Sequence, residues 1–303
     1  MSDTILASNP GAARTVGSLL VEMASVLSSS FGTDAPREAR ELLAALHDMP
    51  RHWPSLARDE TIDAAASRLA LAAAARRASG SPAQYAVGLA AFRNLTLMVD
   101  DRVLIPRPET ELLVEIVLRA AADSGVVGGT VVDIGTGSGA IALALASEGS
   151  FARVIATDVS LDALAVARAN LRRCEDTMRT PVELRHGSLL QPVTERGLRA
   201  VVSNPPYISL DEADALPAGV RDWEPAVALF SAEGGMATIA ALIREAAPAL
   251  APGGMLAFEV DSRRAAVAAG LVEAHGQYRD VCVERDLTGR ERFVVARRRE
   301  EQG

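Results

Sequence analysis

A short stretch in the second half of the chain carries groups that together can hold a planar amino group: Asn204-Pro205-Pro206-Tyr207. An apolar run over residues 200–202 precedes it and predicts a buried strand. Each proline fixes its own φ at about −65°, lacks an N–H, and pushes the residue before it towards an extended backbone. The Asn204 side-chain oxygen and the Pro205 carbonyl are then two fixed acceptors, one for each hydrogen of an –NH2 group. The nitrogen of that group would face outward, towards an electrophile.

The predicted catalytic residues are Asn204, Pro205 and Tyr207, and the predicted substrate-binding residues are Asn204, Pro205, Pro206 and Tyr207. Two fixed acceptors stabilise positive charge that develops on the nitrogen, and positioning contributes much of the rest. No general base is evident near Asn204, and this chemistry does not require one. Tyr207 either packs on the plane of the bound group or has a purely structural role. The alternative is that residues 204–207 form only a structural turn stiffened by prolines. The residues upstream, considered next, help to decide between a binding role and this structural role.

A glycine-rich turn, Gly-Thr-Gly-Ser-Gly over residues 135–139, follows a predicted strand at 130–134 and opens a helix. Glycines at such a position let a ligand approach the backbone closely. The spacing is G-x-G-x-G, whereas dinucleotide-binding turns have G-x-G-x-x-G. Asp133 lies just before the turn, where a carboxylate is unfavourable for a phosphate but suits an ammonium and a sulfonium. Asp158 lies 23 residues after Gly135, at the end of the next predicted strand, as expected for a carboxylate that accepts both ribose hydroxyls.

These features predict a methyltransferase that uses S-adenosyl-L-methionine as its cofactor. Leu189, which follows the third predicted strand, either contacts the adenine or packs in the core. The predicted cofactor-binding residues are Asp133, Gly135, Thr136, Gly137, Ser138, Gly139, Asp158, Leu189 and Asn204.

The elements that must position these residues alternate between strand and helix. Helices separate the predicted parallel strands, and the last two strands form an edge pair. The predicted strands are 130–134, 153–157, 182–185, 200–203, 255–260, 278–284 and 292–296. This order predicts an α/β fold with a doubly wound, mostly parallel sheet, in which ligands bind beyond the carboxyl ends of the strands. The glycine turn, Asp158 and Asn204 all follow such ends.

The chain before this region is predicted to form a small helical domain, residues 1–80. Its helices are expected from about 13 to 29, from Asp34 to about 49, and from Asp59 to about 78, with the two aspartates as N-caps. Residues 81–107 are predicted to form a β-hairpin linker, in which 103–105 pairs back on the strand before it. The methyltransferase domain is then 108–303.

Composition narrows the classes of partner. The net charge is −8 and the isoelectric point is about 5.2, which argues against nucleic acid as the main partner. The two cysteines have no paired spacing and the four histidines are scattered, so no metal site is predicted. The first 15 residues do not resemble a signal peptide, and apolar runs end before the roughly 18 residues that a membrane span needs. We therefore expect a cytoplasmic protein without membrane contact, and a monomer.

Several motifs resemble a known family over nearly the whole chain. They are residues 38–43, 103–112, 133–143, 203–208 and 221–225. They resemble the HemK/PrmC family of protein-(glutamine-N5) methyltransferases, which modify peptide chain release factors. Asn-Pro-Pro-Tyr is shared with DNA adenine and other amino-group methyltransferases, whereas Ile-Pro-Arg-Pro-x-Thr-Glu at 105–111 is much more specific.

The resemblance implies a Rossmann-like class I methyltransferase sheet and a helical N-terminal domain that recognises the substrate. It implies methyl transfer from S-adenosylmethionine to the side-chain amide nitrogen of a release-factor glutamine held by residues 204–207. Two departures concern the cofactor and substrate contacts: Ser188 stands where members often carry Asp, and residues 261–264 replace a Gly-x-x-Gln element after Glu259. The alternatives are a ribosomal-protein glutamine, an adenine N6 in nucleic acid, or a catalytically silent cofactor-binding scaffold.

Overall fold

The computed structural model describes residues 14–125 and 127–300. The chain divides between Leu89 and Ala90 into two compact units. The first is almost entirely helical, and the second is an α/β unit with one large sheet. None of the described helices is both long enough and apolar enough to cross a membrane.

The helices of the first unit enclose one apolar core. Their bounds are α1 Val16–Phe31, α2 Ala35–Leu46, α3 Trp53–Leu56, α4 Ala64–Ala78 and α5 Ala83–Val87, with a short antiparallel pair of β1 Arg14–Thr15 and β2 Thr61–Ile62. Leu19 and Met23 of α1 pack in this core with Leu43 of α2. The predicted N-terminal helical domain is confirmed.

The predicted cap of α4 is wrong. Asp63, not Asp59, accepts hydrogen bonds from the N–H groups of Ala65 and Ala66 at 2.7 and 2.8 Å. Both aspartates precede the same alanine-rich run, but only Asp63 stands directly before the first helical residue, where its side chain reaches the unpaired N–H groups.

A β-hairpin opens the second unit, formed by β3 Leu89–Phe92 and β4 Leu95–Met98. The prediction that residues 103–105 pair back is wrong, because they form no strand. Val103 and Ile105 are buried at 1% and 4% exposure, so their apolar character reflects packing in an irregular segment. The backbone of Met98 is instead bound by the side chain of Asn170, which accepts from its N–H at 2.6 Å and donates to its carbonyl at 2.9 Å.

The central sheet has seven strands in the order β10-β11-β9-β8-β5-β6-β7. The strands β5 to β9 run parallel and β10 and β11 form an antiparallel edge. Their bounds are β5 Thr130–Ile134, β6 Arg153–Asp158, β7 Val182–His186, β8 Leu198–Ser203, β9 Leu250–Glu259, β10 Tyr278–Arg285 and β11 Glu291–Arg298. The accompanying helices are α6 Thr110–Asp123, α7 Ala140–Glu148, α8 Leu161–Arg173, α9 Ala218–Arg221, α10 Ala226–Leu229, α11 Ala232–Gly235, α12 Ala237–Ala249 and α13 Ala265–Ala274.

Helices cover both faces of this sheet. Alternate residues of a strand enter different cores: Val131 of β5 packs in the core with α6 and α7, and Val132 packs in the core with α12 and α13. The predicted doubly wound fold is confirmed. Because β5 has β6 on one side and β8 on the other, the strand order reverses there, and a crevice opens at their carboxyl ends.

Candidate active site

A cavity of about 480 Å³ lies at the carboxyl ends of β5, β6 and β8. Its volume is within the range of about 300–1,000 Å³ that is usual for small-molecule sites. Gly135 and Gly137 line it, together with Asp158, Leu189 and Asn204. The structure thus brings together, at the switch point of the sheet, residues from four separate predicted segments.

The glycine turn presents bare backbone to this cavity. Gly135 and Gly137 have φ of 70° and 55°, in the left-handed region that favours glycine. A Cβ added at either position would meet no atom within 4 Å. A ligand can therefore approach the peptide groups of this turn more closely than side chains would allow.

Asp133 is fully buried behind the turn. Its Oδ2 accepts from the Thr136 hydroxyl at 2.6 Å and from the Ala142 N–H at 3.1 Å. Its Oδ1 is buried without a hydrogen-bond partner among the described residues. Burial raises the pKa of Asp133 to about 7. A cationic group next to Oδ1 would remove the cost of this unpaired atom, so the carboxylate suits an ammonium or a sulfonium better than a phosphate.

Asp158 lies at the end of β6 with both oxygens in use. Oδ2 accepts from the Gly137 N–H at 2.8 Å, and Oδ1 accepts from the Ser160 N–H at 2.9 Å. Burial raises the pKa of this carboxyl, and the backbone hydrogen bonds counteract the rise. Each carboxylate oxygen has a second lone pair, so the group can still accept two hydroxyls from a ligand in the cavity.

The remaining predicted cofactor residues support the turn and do not line the cavity. Thr136, Ser138 and Gly139 are in this group, as is Asp133. The Ser138 carbonyl accepts from Asn170 Nδ2 at 2.8 Å, and Asn170 is fully buried in α8. Sequence patterns do not single out this asparagine, because one polar residue in a predicted helix does not reveal a partner that lies in a distant turn.

A second cavity, of about 400 Å³, shares lining residues with the first, among them Asn204 and Pro205. Both residues line both cavities, whereas Pro206 lines only the first and Tyr207 only the second. The walls of the second cavity also carry charged side chains. These are Arg107, Glu212, Asp261 and Arg263.

Hydrogen bonds behind Asn204 connect it with two residues for which the sequence predicted no role. Asn204 Nδ2 donates to the Thr110 hydroxyl at 3.1 Å, and that hydroxyl donates to Glu259 Oε2 at 2.6 Å. The Tyr207 hydroxyl lies 3.5 Å from the other oxygen, Oε1, of Glu259. Thr110 lies within one of the motifs that resemble the family, and Glu259 lies next to the position of another family motif. This position in the motifs was the sequence feature that could have identified them.

An ion pair and a backbone hydrogen bond stabilise the loops around the second cavity. Arg107 Nη2 lies 2.6 Å from Glu224 Oε2, and only 1% of the Glu224 side chain is exposed. Burial raises the pKa of Glu224, and Arg107 opposes that rise. The N–H of Ile208 donates to the Leu229 carbonyl at 3.0 Å. This hydrogen bond joins the two ends of the loop between these residues.

Family models match both parts of the chain. The PrmC N-terminal domain matches residues 18–88, and the methyltransferase small domain matches residues 108–217. A release factor glutamine methyltransferase of Moorella thermoacetica is 41% identical over 273 residues, which is 89% of this chain and 94% of that protein. One of Enterococcus faecalis is 40% identical over 71% of this chain and 75% of its own length.

The chain belongs to the family of release factor glutamine methyltransferases. The predicted family and the predicted cofactor, S-adenosyl-L-methionine, are confirmed. The fold also matches a crystal structure of a methyltransferase from Pyrococcus furiosus, with a TM-score of 0.51, 19% identity, and coverage of 68% of this chain and 90% of that one.

Arg263 and Arg264 hold loops of the second cavity together. Arg264 Nη2 donates to Glu212 Oε2 at 2.7 Å, and its Nε donates to the Gly234 carbonyl at 2.7 Å. Arg263 pairs with Asp261 at 2.8 Å and with Glu212 at 2.9 Å. Ser188 lines the first cavity.

Gly235→Ala is expected to disturb the methyltransferase site much more than Gly234→Ala. Both glycines have positive φ, so an alanine is strained at either position. A Cβ at Gly235 would lie 2.1 Å from the Tyr207 carbonyl oxygen, whereas a Cβ at Gly234 meets nothing within 4 Å. Overpacking adds about 1–3 kcal/mol, and relief requires Tyr207 to move.

Urea unfolding and methyl-transfer assays on both variants measure this difference. We expect a lower free energy of unfolding and a lower turnover for Gly235→Ala than for Gly234→Ala. Equal effects of the two substitutions would contradict the close packing of this loop on Tyr207.

Proposed function

We propose that this protein transfers a methyl group from S-adenosylmethionine to the side-chain amide nitrogen N5 of a glutamine in peptide chain release factors. The observation that carries the proposal is that Asn204 and Pro205 line both cavities. The first cavity holds the cofactor and the second admits the glutamine. We propose further that the protein acts as a cytoplasmic monomer.

The residues proposed to hold the cofactor fit its chemistry. When bound, S-adenosylmethionine supplies a methyl group on a positively charged sulfur. Asp133, fully buried behind the glycine turn, favours the cationic end through its negative charge and its unpaired oxygen, and Asp158 offers two acceptors to the ribose. Leu189 provides an apolar contact for the adenine, and the bare backbone of Gly135 and Gly137 allows close approach.

Asn204 and Pro205 are proposed to act on the glutamine. Its –NH2 donates one hydrogen to Asn204 Oδ1 and the other to the Pro205 carbonyl, which holds the nitrogen towards the first cavity. An amide nitrogen is a poor nucleophile because its lone pair is delocalised into the carbonyl. Two preorganised acceptors favour the pyramidal nitrogen and stabilise the positive charge that develops on it. The methylated nitrogen then releases one proton to solvent, which leaves the neutral N-methyl amide. Tyr207 packs beside the amide in the second cavity.

The helical domain, residues 1–80, is proposed to recognise the release factor. None of the described residues of this domain, from 14 onward, lines either cavity. A nucleic-acid substrate is disfavoured because the net charge of −8 leaves no excess of cations for phosphates.

A tritium-transfer assay with purified release factors, ribosomal proteins and DNA as separate acceptors tests this function. We expect label in a release factor and in neither of the others. The matched control replaces the modified glutamine with asparagine, which is one methylene shorter and should withdraw the amide from the two acceptors. Label in DNA or in ribosomal protein only would contradict the substrate assignment, and would leave the cofactor assignment standing.

A further inference from the structure

The amide of Asn204 can serve an acceptor amide in only one of its two orientations. If Oδ1 faces the substrate, it can accept a hydrogen bond from the substrate –NH2. If Nδ2 faces the substrate, two –NH2 groups meet and no hydrogen bond forms. The two orientations have nearly the same shape, so packing around an asparagine does not choose between them. The choice depends on the hydrogen bonds behind the side chain.

Those hydrogen bonds end on a buried carboxylate. Glu259 is 1% exposed and Thr110 is 4% exposed. An ionised carboxylate can only accept, so the single hydroxyl hydrogen of Thr110 points to Glu259 Oε2 at 2.6 Å. The hydroxyl then has only lone pairs to offer to Asn204. The group of Asn204 that faces it must be the donor Nδ2, and the observed distance is 3.1 Å.

Glu259 is an acceptor on both oxygens, with no hydrogen to donate, only when it is ionised, so the groups that affect its pKa matter here. Burial raises the pKa of Glu259, and the hydrogen bond from Thr110 and the positive charge of Arg292 counteract that rise. The Tyr207 hydroxyl adds a second donor at 3.5 Å on Oε1. One carboxylate thus connects both ends of the Asn204–Tyr207 stretch.

Thr110 is not needed for the helix that it begins. Its backbone N–H donates to the Arg107 carbonyl at 3.1 Å, and no side chain caps the start of α6. Its hydroxyl is therefore used for Asn204 and Glu259, and an isosteric substitution leaves the start of the helix intact.

We infer that Thr110 and Glu259 are positioning residues that fix the Asn204 amide with Oδ1 towards the amide to be methylated. The inference rests on the proposed function. It assigns these two residues no contact with substrate or cofactor. The effect of Thr110 passes through Asn204, whereas Glu259 also contacts the Tyr207 hydroxyl.

Thr110→Val and Thr110→Ser form a matched pair, because valine keeps the shape and loses the hydroxyl whereas serine keeps the hydroxyl. We expect Thr110→Val to lower kcat by about 10²-fold, as misplacement of a positioning group can. The KM for the release factor and the affinity for S-adenosylhomocysteine should stay within a few-fold, and Thr110→Ser should restore most of kcat. Glu259→Gln should also lower kcat, because its –NH2 can donate to Thr110 and reverse the direction of both hydrogen bonds.

A second readout does not depend on turnover. The Asn204 side-chain –NH2 signals in a nitrogen–proton NMR spectrum can be assigned by their loss in Asn204→Ala. They should shift in Thr110→Val and stay near the wild-type position in Thr110→Ser. If the two Thr110 variants give the same signals, or the same kcat, the inference is wrong. If wild type modifies no release factor, the proposed function fails, and the amide signals alone decide the inference.

Discussion

Asn204→Ala is expected to lower the rate of methyl transfer by about 10²–10³-fold, the usual cost of losing one preorganised partner of the transition state. The substitution removes the acceptor for one amide hydrogen and leaves the Pro205 carbonyl for the other. The glutamine could still enter the second cavity, but its nitrogen would no longer be held towards the cofactor. The loss should therefore appear in kcat more than in the affinity for S-adenosylhomocysteine, which should change only a few-fold.

The fold should tolerate this change. Asn204 is partly exposed at the end of β8, and its side chain donates to the Thr110 hydroxyl. Thr110 can still donate to Glu259 in the variant, so the buried carboxylate keeps its partner. We expect no large decrease in the free energy of unfolding.

A tritium-transfer assay under single-turnover conditions measures the effect. Leu161→Ala is a suitable control, because Leu161 is 66% exposed and lines neither cavity. Turnover close to wild type in Asn204→Ala would remove this residue from the mechanism. Turnover lost together with cofactor affinity would indicate a role in cofactor binding instead.

The sequence allowed the sheet and the ends of its strands to be predicted because both depend on local patterns. The apolar strand 130–134, the glycine turn after it and Asp158 at the next strand end define a crevice once parallel strands are assumed. The cavity at the carboxyl ends of β5, β6 and β8 lies where this pattern predicts.

Contacts between distant segments could not be predicted in the same way. Thr110 and Glu259 are 149 positions apart, and their pairing depends on the docking of α6 beside β9. The apolar residues at 103–105 suit either a strand or a buried loop, and tertiary packing decided for the loop. Likewise, Arg263 and Arg264 form ion pairs with Glu212, which lies about 50 positions earlier in the sequence, so local patterns could not predict these contacts.

Asp158→Ala is expected to weaken the binding of S-adenosylhomocysteine by at least about 10²-fold, because hydrogen bonds to a charged group contribute about 1.5–3 kcal/mol each and two are lost. The structure adds a second reason. Asp158 also accepts the N–H groups of Gly137 and Ser160, so its removal frees the glycine turn that faces the ligand. Both effects weaken the binding of the cofactor, and neither requires any change in the methyl-transfer step itself.

Ser160→Ala weakens this loop while the Asp158 carboxylate remains in place, although Ser160 itself also lines the first cavity. Ser160 Oγ caps α8 by accepting from the Ala163 N–H at 3.1 Å, while the Ser160 N–H that binds Asp158 is retained in the variant. Loss of such a cap costs about 1 kcal/mol of stability. We therefore expect Ser160→Ala to lower the free energy of unfolding and to keep the affinity within a few-fold. Calorimetric titration with S-adenosylhomocysteine and urea unfolding of both variants measure the two quantities. Unchanged affinity in Asp158→Ala would exclude this carboxylate from the cofactor site, and equal losses of affinity in both variants would mean that the loop, rather than the carboxylate, determines binding.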